Sequence, residues 1–131
     1  MTGRHSPKTY MLKAEAALAT ARRNLEAHDS DGACDRAYYA MFNAAHAALF
    51  ALGVEGLASP IKTHNGLIAK FGQEVVVPGH LPAGYGTDLN RVQRYREVAD
   101  YSADSVEANN ALWSVERAEA FIDAVKKKFQ L

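Results

Sequence analysis

The alanine-rich stretch at residues 31–52 constrains the fold more than any other part of the sequence. Apolar residues recur along it at steps of three and four, which places their side chains on one face of an α-helix. These residues are Ala33, Ala37, Met41, Ala44, Ala48 and Leu52. Gly53 follows as a natural terminator of the helix. Because alanine is small, this face predicts a helix that lies close to its neighbours.

Four further segments show the same helical spacing. It predicts helices at about residues 7–28, 63–76, 87–101 and 105–129. A loop containing Gly56 and Pro60 separates the second helix from the third. A long irregular connection, predicted from glycines and prolines, precedes the fourth helix and contains Pro78, Gly79, Pro82, Gly84 and Gly86. The sequence therefore predicts an all-α fold, an up-and-down antiparallel bundle of four long helices with a short helix in third position.

Length and composition narrow the class of protein. A chain of 131 residues fits one domain, residues 1–131, with a core at about residues 8–129. The single cysteine, Cys34, excludes an internal disulfide, and no cysteine–histidine cluster has zinc-site spacing. No apolar run is long enough to cross a bilayer, and the first residues lack the apolar core of a signal peptide. We expect a soluble, cytoplasmic protein with no membrane association, metal or cofactor.

The overall charge gives no support to non-specific binding of nucleic acid, because lysine plus arginine and aspartate plus glutamate balance at 15 each. Two local basic patches remain, one around Arg94 and one at Lys126, Lys127 and Lys128. The lysines are interpreted as a solvated last helical turn, where cations favour the negative end of the helix dipole. The alternative is a binding patch.

A polar stripe lies on the otherwise alanine-rich second helix. Arg36, Tyr39, Asn43 and His46 fall within an arc of about 80° on a helical projection. Together they supply hydrogen-bond donors for an anionic ligand and an imidazole that titrates near neutral pH. The alternative is a hydrogen-bonded polar seam against another helix or a solvent-facing surface.

The fourth helix carries a second polar group of residues. Arg91, Arg94 and Arg96 lie close in sequence to Tyr101, a mixture of charge and aromatic planes that suits contacts to phosphates and bases. Arg96 and Asp100 are four residues apart and can form an ion pair on one helical face. A structural ion pair and a binding site are both consistent with this pattern.

Three sequence blocks together carry a family resemblance. They are Arg-Ala-Tyr-Tyr-Ala-Met-Phe-Asn-Ala-Ala-His at 36–46, Lys-Thr-His-Asn-Gly-Leu-Ile-Ala-Lys-Phe-Gly at 62–72 and Arg-Glu-Val-Ala-Asp-Tyr at 96–101. In this order they resemble the HEPN superfamily, specifically a branch of small prokaryotic proteins, over about residues 10–129. The resemblance implies a four- or five-helix bundle that forms a homodimer. It also implies a toxin–antitoxin or defence module with a minimal nucleotidyltransferase as the cognate antitoxin.

The resemblance also implies candidate site residues. Many HEPN domains are metal-independent ribonucleases in which an arginine and, four to six residues later, a histidine from two protomers form one site. Here no histidine follows His80, and Arg96 is followed by Asp100 and Tyr101. Arg96 and Asp100 are therefore the candidate catalytic residues, with His46 as a third. Tyr101 is a candidate modification site, because a tyrosine near this motif is adenylylated in some relatives.

Three functional hypotheses follow. The first is a toxin-like protein that binds RNA or a nucleotide at a dimer cleft, with ribonuclease activity left open. Its candidate binding residues are Arg36, Tyr39, Asn43, Arg91 and Arg94. The second is a non-catalytic partner that docks on a nucleotidyltransferase and is adenylylated by it. The third is a nucleotide-sensing bundle whose stripe holds a small anion.

Overall fold

Five α-helices make up most of the computed structural model, which describes residues 6–54 and 59–131. They are α1 (Pro7–Glu26), α2 (Ser30–Ala51), α3 (His64–Phe71), α4 (Ala83–Tyr101) and α5 (Ala108–Phe129). A π-helical turn, Gly72–Val76, continues α3. No strand occurs within the described ranges. The predicted all-α class is confirmed, with four long helices and a short one in third position. Gly56, in the predicted loop after α2, lies outside the described residues.

The centre of the bundle is α2, which contacts each of the other four helices. Its alanines are completely buried along most of its length. They are Ala33, Ala37, Ala40, Ala44, Ala45, Ala47 and Ala48. Side chains of one carbon keep the neighbouring backbones close, and larger residues such as Met41 and Leu49 fill the remaining core. The alanine-rich pattern therefore marks the helix that the others surround.

Side-chain caps determine where three of the helices begin. The Ser6 hydroxyl accepts a hydrogen bond from the Thr9 amide at the start of α1. The Asp29 carboxylate accepts one from the Gly32 amide at 2.9 Å, and α2 begins beside it. At α3 the Thr63 hydroxyl accepts from the Gly66 amide at 3.1 Å. Each bond satisfies an amide that has no partner inside its own helix.

The fourth helix begins earlier than predicted, at Ala83, so Gly84 and Gly86 lie inside its first turns. Glycine costs about 1 kcal/mol in a helix interior relative to alanine, which explains the prediction of a loop. Tertiary packing offsets this cost, because the ring of Tyr85 packs edge-on against Phe121 of α5. The two ring centres are 6.1 Å apart. The irregular connection before α4 is correspondingly shorter than predicted.

The segment between α4 and α5 is irregular, and α5 begins at Ala108 rather than near residue 105. The amide of Val106 donates to the Asp31 carboxylate at 2.7 Å, and the Val106 side chain is buried. This contact ties the connection to the start of α2. Within the described ranges, no helix combines the length and the apolar character needed to span a membrane.

Candidate functional site

A buried arginine joins α4 to α2. Arg96 is only 7% exposed, and its guanidinium reaches two carboxylates. Its Nε donates to Asp35 Oδ1 at 3.1 Å, and its Nη2 lies 2.9 Å from Asp100 Oδ2. Nη2 also donates to the Tyr39 hydroxyl at 3.3 Å, and Nη1 to Gln93 Oε1 at 3.5 Å. A buried guanidinium requires such partners, because burying an unpaired charge is costly.

Aromatic rings complete the surroundings of Arg96. Its guanidinium carbon lies 5.4 Å from the ring centre of Tyr38 and 5.2 Å from that of Tyr39, within the range of cation–π attraction. Burial opposes the charge, but Tyr39, Asp100 and Asp35 outweigh it and raise the pKa of Arg96. Arg96 therefore remains a cation at any physiological pH.

Arg36 lies at the rim of the same group of side chains. Its guanidinium carbon stands 4.9 Å from the Tyr39 ring centre, and its Nε and Nη2 donate to Asp35 Oδ2 at 3.3 and 3.2 Å. Asp35 thus bridges two arginines, one with each carboxylate oxygen. The Arg36 side chain is 40% exposed, so it is the cation of the group that a ligand in solution can reach.

His64, the first residue of α3, adds a third helix to the group. Its Nδ1 lies 2.8 Å from the hydroxyl of the fully buried Tyr38. The centre of its ring also lies 6.2 Å from the ring centre of Tyr39 and 5.9 Å from that of Phe42. Burial lowers the pKa of His64, and the positive charge of Arg96 lowers it further. His64 is therefore mainly neutral at pH 7.

We call this set of side chains from α2, α3 and α4 the Arg96 cluster. Its members are Asp35, Arg36, Tyr38, Tyr39, His64, Gln93, Arg96 and Asp100. Two arginines and two aspartates balance their charges. The cluster can hold its helices in register, and it presents Arg36 and the half-buried His64 at its edge.

The polar stripe predicted on α2 does not act as one unit. Arg36 and Tyr39 belong to the Arg96 cluster, whereas His46 is completely buried. His46 Nδ1 donates to the Phe42 carbonyl at 3.0 Å and Nε2 accepts from the Ile61 amide at 2.9 Å. Because burial lowers its pKa and both nitrogens are bonded to backbone, His46 is excluded from the candidate site. It anchors the chain that leads to α3.

Asn43 has a local hydrogen bond instead of a free amide. Its Nδ2 donates to the Tyr39 carbonyl one turn earlier, at 3.0 Å. Such a bond to the preceding turn is common for short polar side chains in helices. Asn43 therefore borders the Arg96 cluster without contributing to its ion pairs.

The arginines of α4 also separate. Arg91 stands over the ring of Trp113 on α5, 5.7 Å from its centre, whereas Arg96 contacts α2. Arg94 is exposed, and Tyr101 at the end of α4 is 78% exposed. The patch predicted around Arg94 is thus divided among different faces of the helix. Of the residues predicted as candidates on this helix, only Arg96 and Asp100 belong to the Arg96 cluster.

Sequence reasoning missed four members of the cluster as site residues: Asp35, Tyr38, His64 and Gln93. The signal for Gln93 was its position three residues before Arg96 on the same helix. Asp35 stands four residues before Tyr39 and next to Arg36. His64 lies in the second sequence block, but its pairing with Tyr38, 26 positions away, is a long-range contact that sequence spacing does not predict.

The lysine patch at the end of α5 and the single cysteine have ordinary structural explanations. Lys126 in the last turn of α5 lies 2.8 Å from Glu15 of α1, and its two lysine neighbours are exposed. Cys34 is buried against α5, and desolvation raises its thiol pKa to about 11. In the described part of the chain, no three acidic, histidine or cysteine side chains are grouped to hold a metal ion.

The fold and the cluster define a class, that of small all-α bundle domains with a polar group buried between their helices. A family model for the HEPN domain matches residues 8–128. The chain belongs to the HEPN family, and the resemblance inferred from its three sequence blocks is confirmed.

Three relatives from distant prokaryotes extend this result. A UPF0332 protein of Gloeobacter violaceus is 36% identical over 91 residues, which cover 70% of this chain and 68% of the relative. A UPF0332 protein of Thermotoga maritima is 31% identical over 88% of this chain and 84% of its own length. A protein of Methanocaldococcus jannaschii, named as a candidate toxin, is 32% identical, covering 87% and 81% of the two chains.

Proposed function

We propose that this chain is a toxin-like HEPN protein that binds RNA or a nucleotide at the Arg96 cluster. The toxin-like role is supported by family membership and by the name of the archaeal relative. The observation that carries the binding site is the pair of arginines bridged by Asp35, one buried and one exposed. Guanidinium groups match phosphate geometry through paired hydrogen bonds.

The two arginines have different roles in this proposal. Arg96 already bonds to Asp35 and Asp100, so a phosphate would have to displace a carboxylate to reach it. Arg36 bonds to a single carboxylate oxygen and is 40% exposed. We therefore assign the first phosphate contact to Arg36 and the positioning of Asp35 and Tyr39 to Arg96. Ribonuclease activity would require the release of Arg96 from Asp35 and Asp100.

Binding to labelled RNA tests the proposal. Fluorescence anisotropy with a mixed-sequence single-stranded RNA should show binding by the wild-type chain and at least about tenfold weaker binding by Arg36→Gln, as expected for a charge-assisted hydrogen bond. Arg23→Gln is the matched control. It removes an exposed arginine of α1 that bonds to Thr20, away from the cluster.

Two results would contradict the assignment. One is equal loss of affinity in both arginine variants, which would indicate a general charge effect. The other is a wild-type chain that binds neither RNA nor a mononucleotide at low ionic strength, where phosphate contacts are strongest. Incubation of the same proteins with transfer RNA in EDTA, followed by gel analysis, tests metal-independent cleavage.

A second candidate function is favoured by Tyr101. Its side chain is 78% exposed at the end of α4, and the neighbouring Asp100 carboxylate pairs with Arg96. An exposed phenol is accessible to a modifying enzyme, and the resemblance implies a nucleotidyltransferase that acts as the cognate antitoxin. In this alternative the chain docks on that enzyme without catalysing a reaction. The Tyr101 oxygen attacks the α-phosphate of ATP held by the enzyme, a bond to AMP forms, and pyrophosphate leaves as the phenol loses its proton.

Co-expression with a minimal nucleotidyltransferase and intact-mass spectrometry test this alternative. The expected result is a mass increase of one AMP group, absent from Tyr101→Phe and retained in Tyr95→Phe, whose ring packs on Trp113. Modification that persists in Tyr101→Phe would place the acceptor elsewhere.

We also propose that the chain forms a homodimer, as the resemblance implies. Arg94, Val98 and Tyr101 lie on one side of α4, and Val98 and Tyr101 are two of the large exposed apolar side chains. Such residues in a row suit an interface. Sedimentation should show a dimer that Val98→Asp weakens and that Leu12→Asp, at an exposed position of α1, leaves intact.

A further inference from the structure

Tyr38 and His64 form a hydrogen-bonded pair within the Arg96 cluster, and neither residue has yet been assigned a contact with the ligand. Tyr38 is completely buried on α2, and its hydroxyl lies 2.8 Å from Nδ1 of the half-buried His64 on α3. The two residues are 26 positions apart in sequence. The pair lies beside Arg96, whose guanidinium carbon is 5.4 Å from the Tyr38 ring centre.

The direction of this hydrogen bond follows from burial. Desolvation raises the pKa of Tyr38, so its phenol keeps its proton at physiological pH. A buried hydroxyl needs an acceptor for that proton. Among the described residues the hydroxyl has no other hydrogen-bond partner than His64 Nδ1. Tyr38 therefore donates, and the Nδ1 lone pair of His64 is occupied.

The tautomer of His64 follows in turn. A neutral imidazole whose Nδ1 accepts a hydrogen bond carries its own hydrogen on Nε2. His64 stays neutral because burial and Arg96 oppose a positive charge, while Glu97 and Asp100 of the same helix as Arg96 favour it more weakly. In this state Nε2 is a hydrogen-bond donor, and the ring has no free lone pair with which to act as a base.

His64 and Arg36 lie around the same aromatic ring. The Arg36 guanidinium carbon is 4.9 Å from the ring centre of Tyr39, and the His64 ring centre is 6.2 Å from it. We propose that His64 Nε2–H is a second donor to the phosphate bound at Arg36, and that Tyr38 is the positioning residue that fixes the donor tautomer. This inference rests on the proposed function, since it names a further contact of the same site.

Nitrogen NMR of the imidazole tests the tautomer without any ligand. In ¹⁵N-histidine-labelled protein, the His64 signals, assigned by their loss in His64→Gln, should show a protonated Nε2 and an unprotonated Nδ1. Tyr38→Phe should convert His64 to a mixture of tautomers. Tyr95→Phe, which alters a tyrosine against Trp113, should not. A protonated Nδ1 in the wild-type chain would overturn the proposal.

Binding to two defined probes, AMP and a mixed-sequence RNA octamer, tests the contact. The side-chain amide nitrogen of glutamine occupies approximately the position of Nε2, and that of asparagine the position of Nδ1. His64→Gln should therefore bind within about twofold of wild type, and His64→Asn at least about tenfold more weakly. Circular dichroism spectra that match the wild type establish that both variants fold.

The outcomes distinguish this inference from the function on which it rests. Wild-type binding of either probe that weakens in His64→Asn and survives in His64→Gln supports the inference, and the probe that binds identifies a mononucleotide or a polymer as the ligand. Equal binding by all three proteins overturns the role of His64 and leaves the proposed function standing. Absence of wild-type binding to both probes overturns the proposed function and this role together.

Discussion

At the scale of single residues, His46 on α2 and His64 on α3 show what a helical projection can and cannot predict. His46 shares an 80° arc with Arg36 in the sequence, yet it is buried and bonded to the Phe42 and Ile61 backbone. A helical projection shows which residues share a face, but it does not show which other segments of the chain pack against each turn of that face. His64 reaches Tyr38 only through the tertiary fold, so its place at the site could not be predicted from spacing.

The bridge formed by Asp35 leads to a stability prediction. Asp35→Asn should lower the free energy of unfolding by about 1.5–3 kcal/mol, because the 9%-exposed Arg96 side chain loses a charged partner. Urea denaturation with an unchanged m-value is the measurement. Glu119→Gln removes the partner of Arg22 from a surface pair and should cost less than about 1 kcal/mol. Equal costs in the two variants would contradict the bridging role.

The two histidines His46 and His64 lead to a prediction about how the stability of the fold depends on pH. Burial lowers the pKa of both His46 and His64 in the folded chain, whereas unfolded histidines take up protons near pH 6.5. The unfolded state therefore binds more protons, and the free energy of unfolding should fall as the pH drops below about 6.5. Above about pH 7.5 these groups should contribute no pH dependence.

Urea denaturation of wild type and His46→Gln at pH 7.5 and 5.5 measures this effect. Glutamine can still accept from the Ile61 amide, which His46 Nε2 does at 2.9 Å, but cannot titrate. The fall in stability should be smaller in the variant. An identical fall in both proteins would show that His46 titrates alike in the folded and unfolded chains.

At the scale of helices, the periodicity of apolar residues predicted which segments are helical, but it did not predict where the irregular helix ends lie. Every apolar residue predicted on α2 except Leu52 is buried, because a repeat of three and four residues directly reports a covered face. The predicted start of α4 was wrong by four residues, because the packing of Tyr85 on Phe121 outweighs the low helix propensity of the nearby glycines. The π-helical turn after Phe71 has no composition signal that distinguishes it from an α-helix.

Because α2 is closely packed, we expect larger side chains at its buried alanine positions to destabilise the fold. Ala44→Leu should destabilise the fold by about 1–3 kcal/mol, because a completely buried alanine leaves no room for three further carbons. The same change at the exposed Ala51, the last residue of α2, should alter stability by less than about 0.5 kcal/mol. Thermal unfolding followed by circular dichroism compares them. A neutral effect at residue 44 would mean that α2 has more space around it than the structure gives.

At the scale of the whole molecule, the sequence was sufficient for the class and the family and insufficient for the site. Three ordered blocks led to the HEPN family, which the family model over residues 8–128 confirms. Assembly of the Arg96 cluster requires α2, α3 and α4 to meet, with Asp35 and Arg96 61 positions apart. Four members of the cluster could be predicted from the sequence, namely Arg36, Tyr39, Arg96 and Asp100. Their partners could be identified only from the fold.

We propose that a phosphate-bearing ligand binds where α2, α3 and α4 meet. Amide chemical shifts of ¹⁵N-labelled protein titrated with a short single-stranded RNA test it most directly. We expect saturable changes confined to the first half of α2, the start of α3 around His64 and the second half of α4. Changes centred on Lys126–Lys128, or no saturable change at all, would contradict it.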